Sequence, residues 1–310
     1  MEMVAMVVVY IILMVAVLVG VAFITLMEQK ILAGSQIRVG PSYVGYMGLL
    51  QPFSDAVKLL TKESVNSSPM SVKAYYFSPV AGLVLSLLLW VVYPFNEGGL
   101  NLTYGILFFI CVSGLGVYPI LISGWSSNCK YSMLGSLRAV AQMVSYEVSM
   151  SMILLGLVWL SGSFGFFSIL EMQYWSYNMI LVMPLGYLWL VTSLAETNRS
   201  PYDFAEGESE LVSGFNTEYG SSGFTLIFMA EYSSILLMSL LFSIMFLSSV
   251  FNSVTIVKSL LVGFMFVWVR ASLPRYRYDK LMSVAWKCFL PASLFIFVYC
   301  LSMGSVCFMY

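Results

Sequence analysis

The sequence predicts an all-α integral membrane protein of about eight transmembrane helices, with a short interfacial amphipathic helix and one acidic loop. Three observations carry that reading. Of the 310 residues 60% are hydrophobic and only 9% charged, with a mean hydropathy of +0.90, whereas soluble domains carry about 25% charged residues. Apolar runs on the order of 20 residues, the length a helix needs to cross hydrocarbon, recur throughout the chain. The alternation over roughly ten residues that marks barrel strands is missing, which leaves helices as the spanning element. The chain reads as a single polytopic domain over residues 1–310 with almost nothing outside the membrane.

The first span covers residues 4–27 and closes at Glu28 and Lys30. Its apolar core is too long for a signal peptide and lacks a basic leader, so it reads as a retained span that is inserted directly. A polar connection follows, with turns at Gly40-Pro41, Gly45 and Gly48. Residues 52–63 form a short helix with Phe53, Ala56, Val57 and Leu60 on one face and Asp55, Lys58 and Lys62 on another, an arrangement suited to the membrane surface or to a solvent-covered helix. Further spans are expected at 78–95, 102–123, 139–161 and 177–195, then, after an acidic loop at 196–221, at 222–249, 254–273 and 287–309. Tyr93-Pro94 and Leu273-Pro274 close two of these spans, while Pro119 and Pro184 fall inside apolar runs and are expected to kink them.

Eight spans place both termini and the connections near 97, 171 and 252 on one side. The connections at 28–77, 124–138, 196–221 and 274–286 fall on the other. Thirteen of the fourteen Lys and Arg residues, all but Lys258, lie in or beside this second group, which therefore faces the cytoplasm or its equivalent. The net charge of −1 and the lack of a basic cluster give no indication of nucleic-acid binding. His is absent, which removes imidazole haem ligation and His proton shuttles. Cys111, Cys129, Cys288, Cys300 and Cys307 show no CxxC spacing, so neither a metal cluster nor a disulfide framework is indicated. The chain is expected to bind no cofactor or metal of its own.

Charge is concentrated between residues 196 and 219, where six of the fifteen acids stand within 24 residues beside one base, Arg199. On a helix Arg199, Asp203, Glu206 and Glu210 would share one face, although Pro201, Gly207 and Gly214 argue against a continuous helix. A solvated loop is the simplest reading of such a run. Phe204, Leu211, Val212 and Phe215 alternate with the acids, however, and favour a loop folded into a partner or a cavity. Three further carboxylates lie within or at the ends of apolar runs: Glu147, Glu196 and Glu231. An ionised group at the bilayer centre costs about 2.5–3.5 kcal/mol on insertion scales, so each must face the interior, pair with a cation such as Arg138 or Arg199, or carry a proton. On the same side Arg270, Arg275, Arg277 and Lys280 surround Tyr276 and Tyr278, and Arg38 stands near Tyr43 and Tyr46. Guanidinium and phenol donors of this kind can hold a polar headgroup whose tail lies in lipid, and they also suit plain positive-inside anchoring.

These residues carry a resemblance. LAETNRSPYDFAEGESELVSGFNTEY followed by FMAEY, together with GPSYVGYMGLLQPFSDAVKLLTKE, GWSSNCKYSMLGSLRAVAQMVSYEVS and WVRASLPRYRYDKLM, resembles the family of chain 1 of NADH–ubiquinone oxidoreductase, the mitochondrially encoded subunit of respiratory complex I. The match runs from about residue 20 to residue 292. It implies a mitochondrial inner-membrane subunit, with the acidic and basic loops on the matrix side and both termini on the intermembrane-space side. Such a subunit is not catalytic alone. It walls the ubiquinone tunnel and joins the peripheral redox arm to the membrane proton-pumping arm, while FMN and iron–sulfur clusters belong to partner subunits. Carried over residue by residue, quinone binding is expected at Arg38, Phe228 and Arg275, and the Arg–Tyr cluster adds Arg277 as a further candidate. The proton path is expected through Glu147, Glu196, Glu231, Asp203, Glu206, Glu208 and Glu210. Two positions depart from the family pattern: Gln29 stands where Arg is usual and Val39 where Lys is usual, so the tunnel mouth is less positive here. Ser200, Tyr202 and Tyr276 replace the commoner Thr, Phe and Phe with little change of size.

Composition alone also permits an ion or solute transporter with a midplane carboxylate, but no internal repeat is visible. The membrane anchor of a related hydrogenase-type complex is the other alternative, and agreement with mitochondrial sequences weighs against it.

Overall fold

The computed structural model describes residues 2–64, 70–95, 99–205, 207 and 211–309. Among them seven helical segments are long and apolar enough to cross a membrane. Helix α1 spans Glu2–Ser35, about 51 Å at 1.5 Å per residue, so it continues well past a hydrocarbon core of about 30 Å. It does not close at Glu28 as expected. The carboxylate at that position is buried, with 4% of the residue exposed, and partners from three other segments satisfy it, so the helix need not end there.

Helix α2, Gln51–Thr61, carries Pro52 in its first turn, where the missing N–H costs nothing. It packs against α1, and Phe53 meets Phe23 edge-on. Phe53, Val57 and Leu60 are left uncovered by the chain, which is how an interfacial helix presents its apolar face to lipid. Helix α3 is Val72–Leu89. Helices α4, Gly105–Leu115, and α5, Val117–Ser126, form one crossing broken at Gly116. That break is the expected effect of Pro119, which cannot donate to the Leu115 carbonyl. Helix α6 runs over Lys130–Ser161, nine residues earlier than the apolar run suggests, and ends where Gly162 takes a left-handed conformation, φ 69°.

The expected span at 177–195 is interrupted. After the short α7, Phe166–Met172, the chain forms α8, Asn178–Leu181, and α9, Met183–Glu196, broken at Val182 just before Pro184. Helix α10, Ser221–Phe242, is the most buried crossing and continues through a π-helical turn at Ser243–Leu247. Helix α11 covers Ser253–Ser272. Helices α12, Tyr278–Val284, and α13, Leu290–Met309, are joined by a second π-helical turn into the last crossing.

The bundle is built on α10, which packs most extensively against α3 and α11 and also touches α1, α2 and α9. Helix α6 gathers α5, α9 and α13 around itself, and contact between α3 and α5 joins the two groups. At its C-terminal end α10 would leave carbonyls unpaired inside the protein. Gln173 Nε2 donates to Ile244 O at 2.7 Å, Asn178 Nδ2 to Met245 O at 2.8 Å and Lys258 Nζ to Leu247 O at 2.5 Å. These three bonds fix the axial position of the helix that carries Phe228, Glu231 and Tyr232.

Candidate functional site

The described residues between Thr197 and Gly220 are folded onto their own chain. Gln142, fully buried on α6, donates through Nε2 to Ala195 O at 2.8 Å and to Tyr202 O at 2.7 Å, tying the end of α9 to the loop. The Arg199 N–H donates to Leu194 O, and the Tyr276 N–H donates to Pro201 O at 3.1 Å. Tyr202 stacks on Tyr276 with planes 9° apart, and burial pushes the Tyr202 phenol up to about 12, with Tyr276 adding to the shift. At the other end Tyr75 stacks on Tyr219, 4.3 Å between centroids, and donates to Glu218 O at 2.7 Å. Phe204, Leu211 and Phe215 are buried as their alternation with acids suggests, but Val212 is 68% exposed. The chain supplies this covering itself.

Arg199 and Asp203 do not share a helical face. Asn198 has a positive φ of 49° and the following residues form turns, so Arg199 turns toward α1 while Asp203 pairs with Arg275 at 2.8 Å. Glu206, Glu208 and Glu210 lie outside the described residues. The bridge through Gln142 gives a direct expectation. Gln142→Leu keeps the volume but removes the donor to two buried carbonyls, and is expected to destabilise the chain by about 2 kcal/mol or more. Thermal denaturation of the assembled complex checks it.

Between α3, the α4–α5 crossing, the end of α9 and α10 lies a cavity of about 140 Å³. Glu196 and Glu231 both line it, from different helices, together with Ser78, Ser113, Ser123, Ser234, Thr197 and Asn198. Glu196 Oε2 is buried and has no hydrogen-bond partner among the described residues. Most of the remaining lining is apolar, so the two carboxylates and these few small polar side chains are its main polar groups, and the space beside them has room for several waters, which can satisfy that oxygen. Glu147 is half-buried on α6, within electrostatic reach of Glu196. Its carboxylate occupies a recess opposite Gly114, where a Cβ would come within 2.6 Å of Oε1. Two carboxylates thus open on one cavity and a third, on another helix, stands within electrostatic reach of the first, an arrangement able to take up and pass protons.

On the opposite flank of α10 is a second charged group. Glu28 accepts hydrogen bonds at Oε1 from Arg199 Nη1 at 3.1 Å and from Arg270 Nη1, and at Oε2 from the Tyr232 hydroxyl at 2.5 Å. The Arg199 guanidinium also lies over the Tyr232 ring at 4.2 Å. Burial opposes the Arg199 charge, but Tyr232, Glu28 and Glu231 outweigh it and hold its pKa above the ordinary value. Phe228 stands one turn away, packed between Phe224 at 4.2 Å and Tyr232 at 6.3 Å. Arg38 is exposed and bonds Gln36 at 2.8 Å, and Arg277 is exposed and pairs with Asp279 at 3.0 Å. Of the expected quinone residues, Phe228 joins the Glu28 group through Tyr232, and Arg275 joins the loop through Asp203. Arg38 and Arg277 stand apart from both.

The family model for NADH dehydrogenase matches residues 8–301. The chain belongs to the NADH dehydrogenase family. It is 54% identical to NADH-ubiquinone oxidoreductase chain 1 of Aedes aegypti over 283 residues, 91% of this chain and 90% of that protein. Chain 1 of Locusta migratoria is 52% identical over 292 residues, covering 94% and 93%, and that of Pongo pygmaeus 45% over 296 residues, covering 93% of each. The NADH dehydrogenase match includes the acidic cavity, the loop and the Glu28 group.

Sequence reasoning missed Glu28, which it took as the end of a span. A usable signal was present: a carboxylate directly abutting an apolar run, on the same side as two bases, Arg199 and Arg270, that also abut apolar runs.

Proposed function

We propose that this chain is the membrane subunit of the proton-pumping NADH:ubiquinone oxidoreductase that forms part of the ubiquinone tunnel and couples quinone reduction to proton translocation. The observation that carries this reading is the cavity onto which Glu196 and Glu231 both open, with Glu147 in electrostatic reach. Family membership supplies the reaction class. Ubiquinone is the substrate, and electrons reach it from FMN and iron–sulfur clusters in partner subunits. Phe228 and Arg275 bind or steer the quinone from the bundle side, and Arg38 and Arg277 do so at the tunnel surface. Uptake of two electrons by the quinone draws protons, and the carboxylates respond by exchanging theirs. The setting is the mitochondrial inner membrane, with the acidic and basic loops in the matrix and both termini in the intermembrane space. The partners are the quinone-module subunits of the peripheral arm, the neighbouring membrane-arm subunits and membrane lipid.

Glu147→Gln tests the proton path. In the assembled enzyme NADH oxidation by quinone is expected to fall by roughly tenfold or more, while NADH oxidation by a hydrophilic acceptor at the flavin stays unchanged. Full quinone turnover with full proton pumping would remove Glu147 from the path. The quinone residues are tested separately by photo-crosslinking an azido-quinone in the native complex. Labelled peptides containing Arg38, Phe228 or residues 196–219 support them, and labelling confined to other subunits withdraws them.

A further inference from the structure

The segment from Glu196 to Arg199 lies between the two charged groups. Glu196, Thr197 and Asn198 line the acidic cavity on one flank of α10. The next residue, Arg199, turns to the other flank, where Tyr232 and Ile235 of α10 border the Glu28 group. Whatever holds Arg199 therefore holds the cavity wall by direct chain connection.

What holds it is a carboxylate from the far end of the sequence. Arg199 and Arg270 both donate to the same oxygen, Glu28 Oε1, and Tyr232 occupies Oε2. Two like charges meeting at one oxygen repel each other as soon as that oxygen loses its charge. The side chains of Glu28 and Arg199 are 5% and 13% exposed, so water screens their pair little, while Arg270, 37% exposed, is screened in part. Arg199 Nη2 is buried without a hydrogen-bond partner among the described residues, and the space beside the group is about 10 Å³, too small for more than one water. Among the described residues Glu28 is the carboxylate in ion-pair contact with both arginines, and Glu231 acts on Arg199 from farther away. Removing one member of a buried ion pair leaves an uncompensated charge, the costly case.

We infer that Glu28 is a positioning residue: it clasps Arg199 against Arg270 and so sets the first turn of the acidic loop, with Glu196, against α1, α10 and α11. This rests on the proposed role of the carboxylate cavity, and it adds a residue and a mechanism to that role. When Glu28 is neutral, repulsion from Arg270 drives Arg199 away and carries residues 196–204 with it. The amides of Thr197, Asn198, Arg199, Tyr202 and Phe204 donate to backbone carbonyls at present, so their exchange with solvent reports any such release.

The test is Glu28→Gln in the intact assembled enzyme, read by hydrogen–deuterium exchange and by coupled turnover. Exchange over residues 197–204 is expected to rise by roughly tenfold or more, with α1, α10 and α11 little changed. The maximal quinone-linked rate is expected to fall severalfold while the KM for a short-chain quinone moves less than twofold. A rise spread evenly over α1, α10 and α11 marks a purely structural residue and overturns the inference. So does unchanged exchange at 197–204, and in either case the proposed function stands on its own tests. Released loop amides with full coupled turnover would show that the clasp does not serve coupling, which also overturns the inference and leaves the proposed function to its own tests. If the Gln complex does not accumulate, Glu28→Asp decides. It keeps the charge but draws it back from the shared contact, and exchange at 197–204 equal to wild type overturns the inference.

Discussion

Replacing Glu196 with glutamine is expected to lower quinone-linked NADH oxidation by roughly a hundredfold, with flavin-site activity retained. Glu196 is the acid whose surroundings leave it least choice. One of its oxygens is buried and, among the described residues, unpartnered, and the side chain opens on the same cavity as Glu231. Glutamine has the same shape and fills the same place, so packing is preserved and only the capacity to bind and release a proton is lost. Glutamine brings no charge to be desolvated at that buried position, so the variant is expected to be at least as stable as the parent. A slow but stable enzyme is the combination that identifies a working acid. Normal turnover, measured with a short-chain quinone in proteoliposomes alongside proton uptake, would take Glu196 out of the proton route.

A large loss of stability is expected at a glycine. Gly135 on α6 faces the turn at Gly214–Asn216 so closely that a Cβ would lie 2.9 Å from the Cα and carbonyl carbon of Gly214 and from the nitrogen of Phe215. Those are backbone atoms, which cannot rotate aside as a side chain does. Ser132, one turn earlier, donates to Phe215 O at 3.2 Å, which holds the two segments together. Gly135→Ala is therefore expected to cost about 3 kcal/mol, read as a lower unfolding temperature of the assembled complex and a lower yield. An unchanged midpoint would show that the turn can move away from α6 freely.

The spans were legible because lipid imposes a simple rule, and a run of twenty apolar residues obeys it visibly. Their ends were less so. Helix α6 begins at Lys130 and α1 continues to Ser35, because polar residues extend a helix beyond the hydrocarbon once neighbouring segments cover them. Phe204, Leu211 and Phe215 announced a folded loop, since a solvated one has no use for three large apolar side chains. The Glu28 group was not announced in the same way. Its members are separated by 171 residues in one pair and 242 in another, and local periodicity contains no information about which distant residue a charge meets. Glu196 and Glu231 were singled out because isolated carboxylates in apolar runs demand an explanation. That both open on one cavity depended on how the α4–α5 crossing, α3 and α10 assemble, which follows from packing and not from pattern.

The two tyrosine stacks, Tyr202 on Tyr276 and Tyr75 on Tyr219, bear on how the chain meets its neighbours. A segment that must order itself during docking loses rotational freedom at that moment, and the loss weakens association. Here each end of the loop is fastened beforehand by a ring pair and a backbone hydrogen bond. At those two ends an incoming subunit therefore meets backbone that already has its shape, and the strength of the union there is set by the contacts it gains.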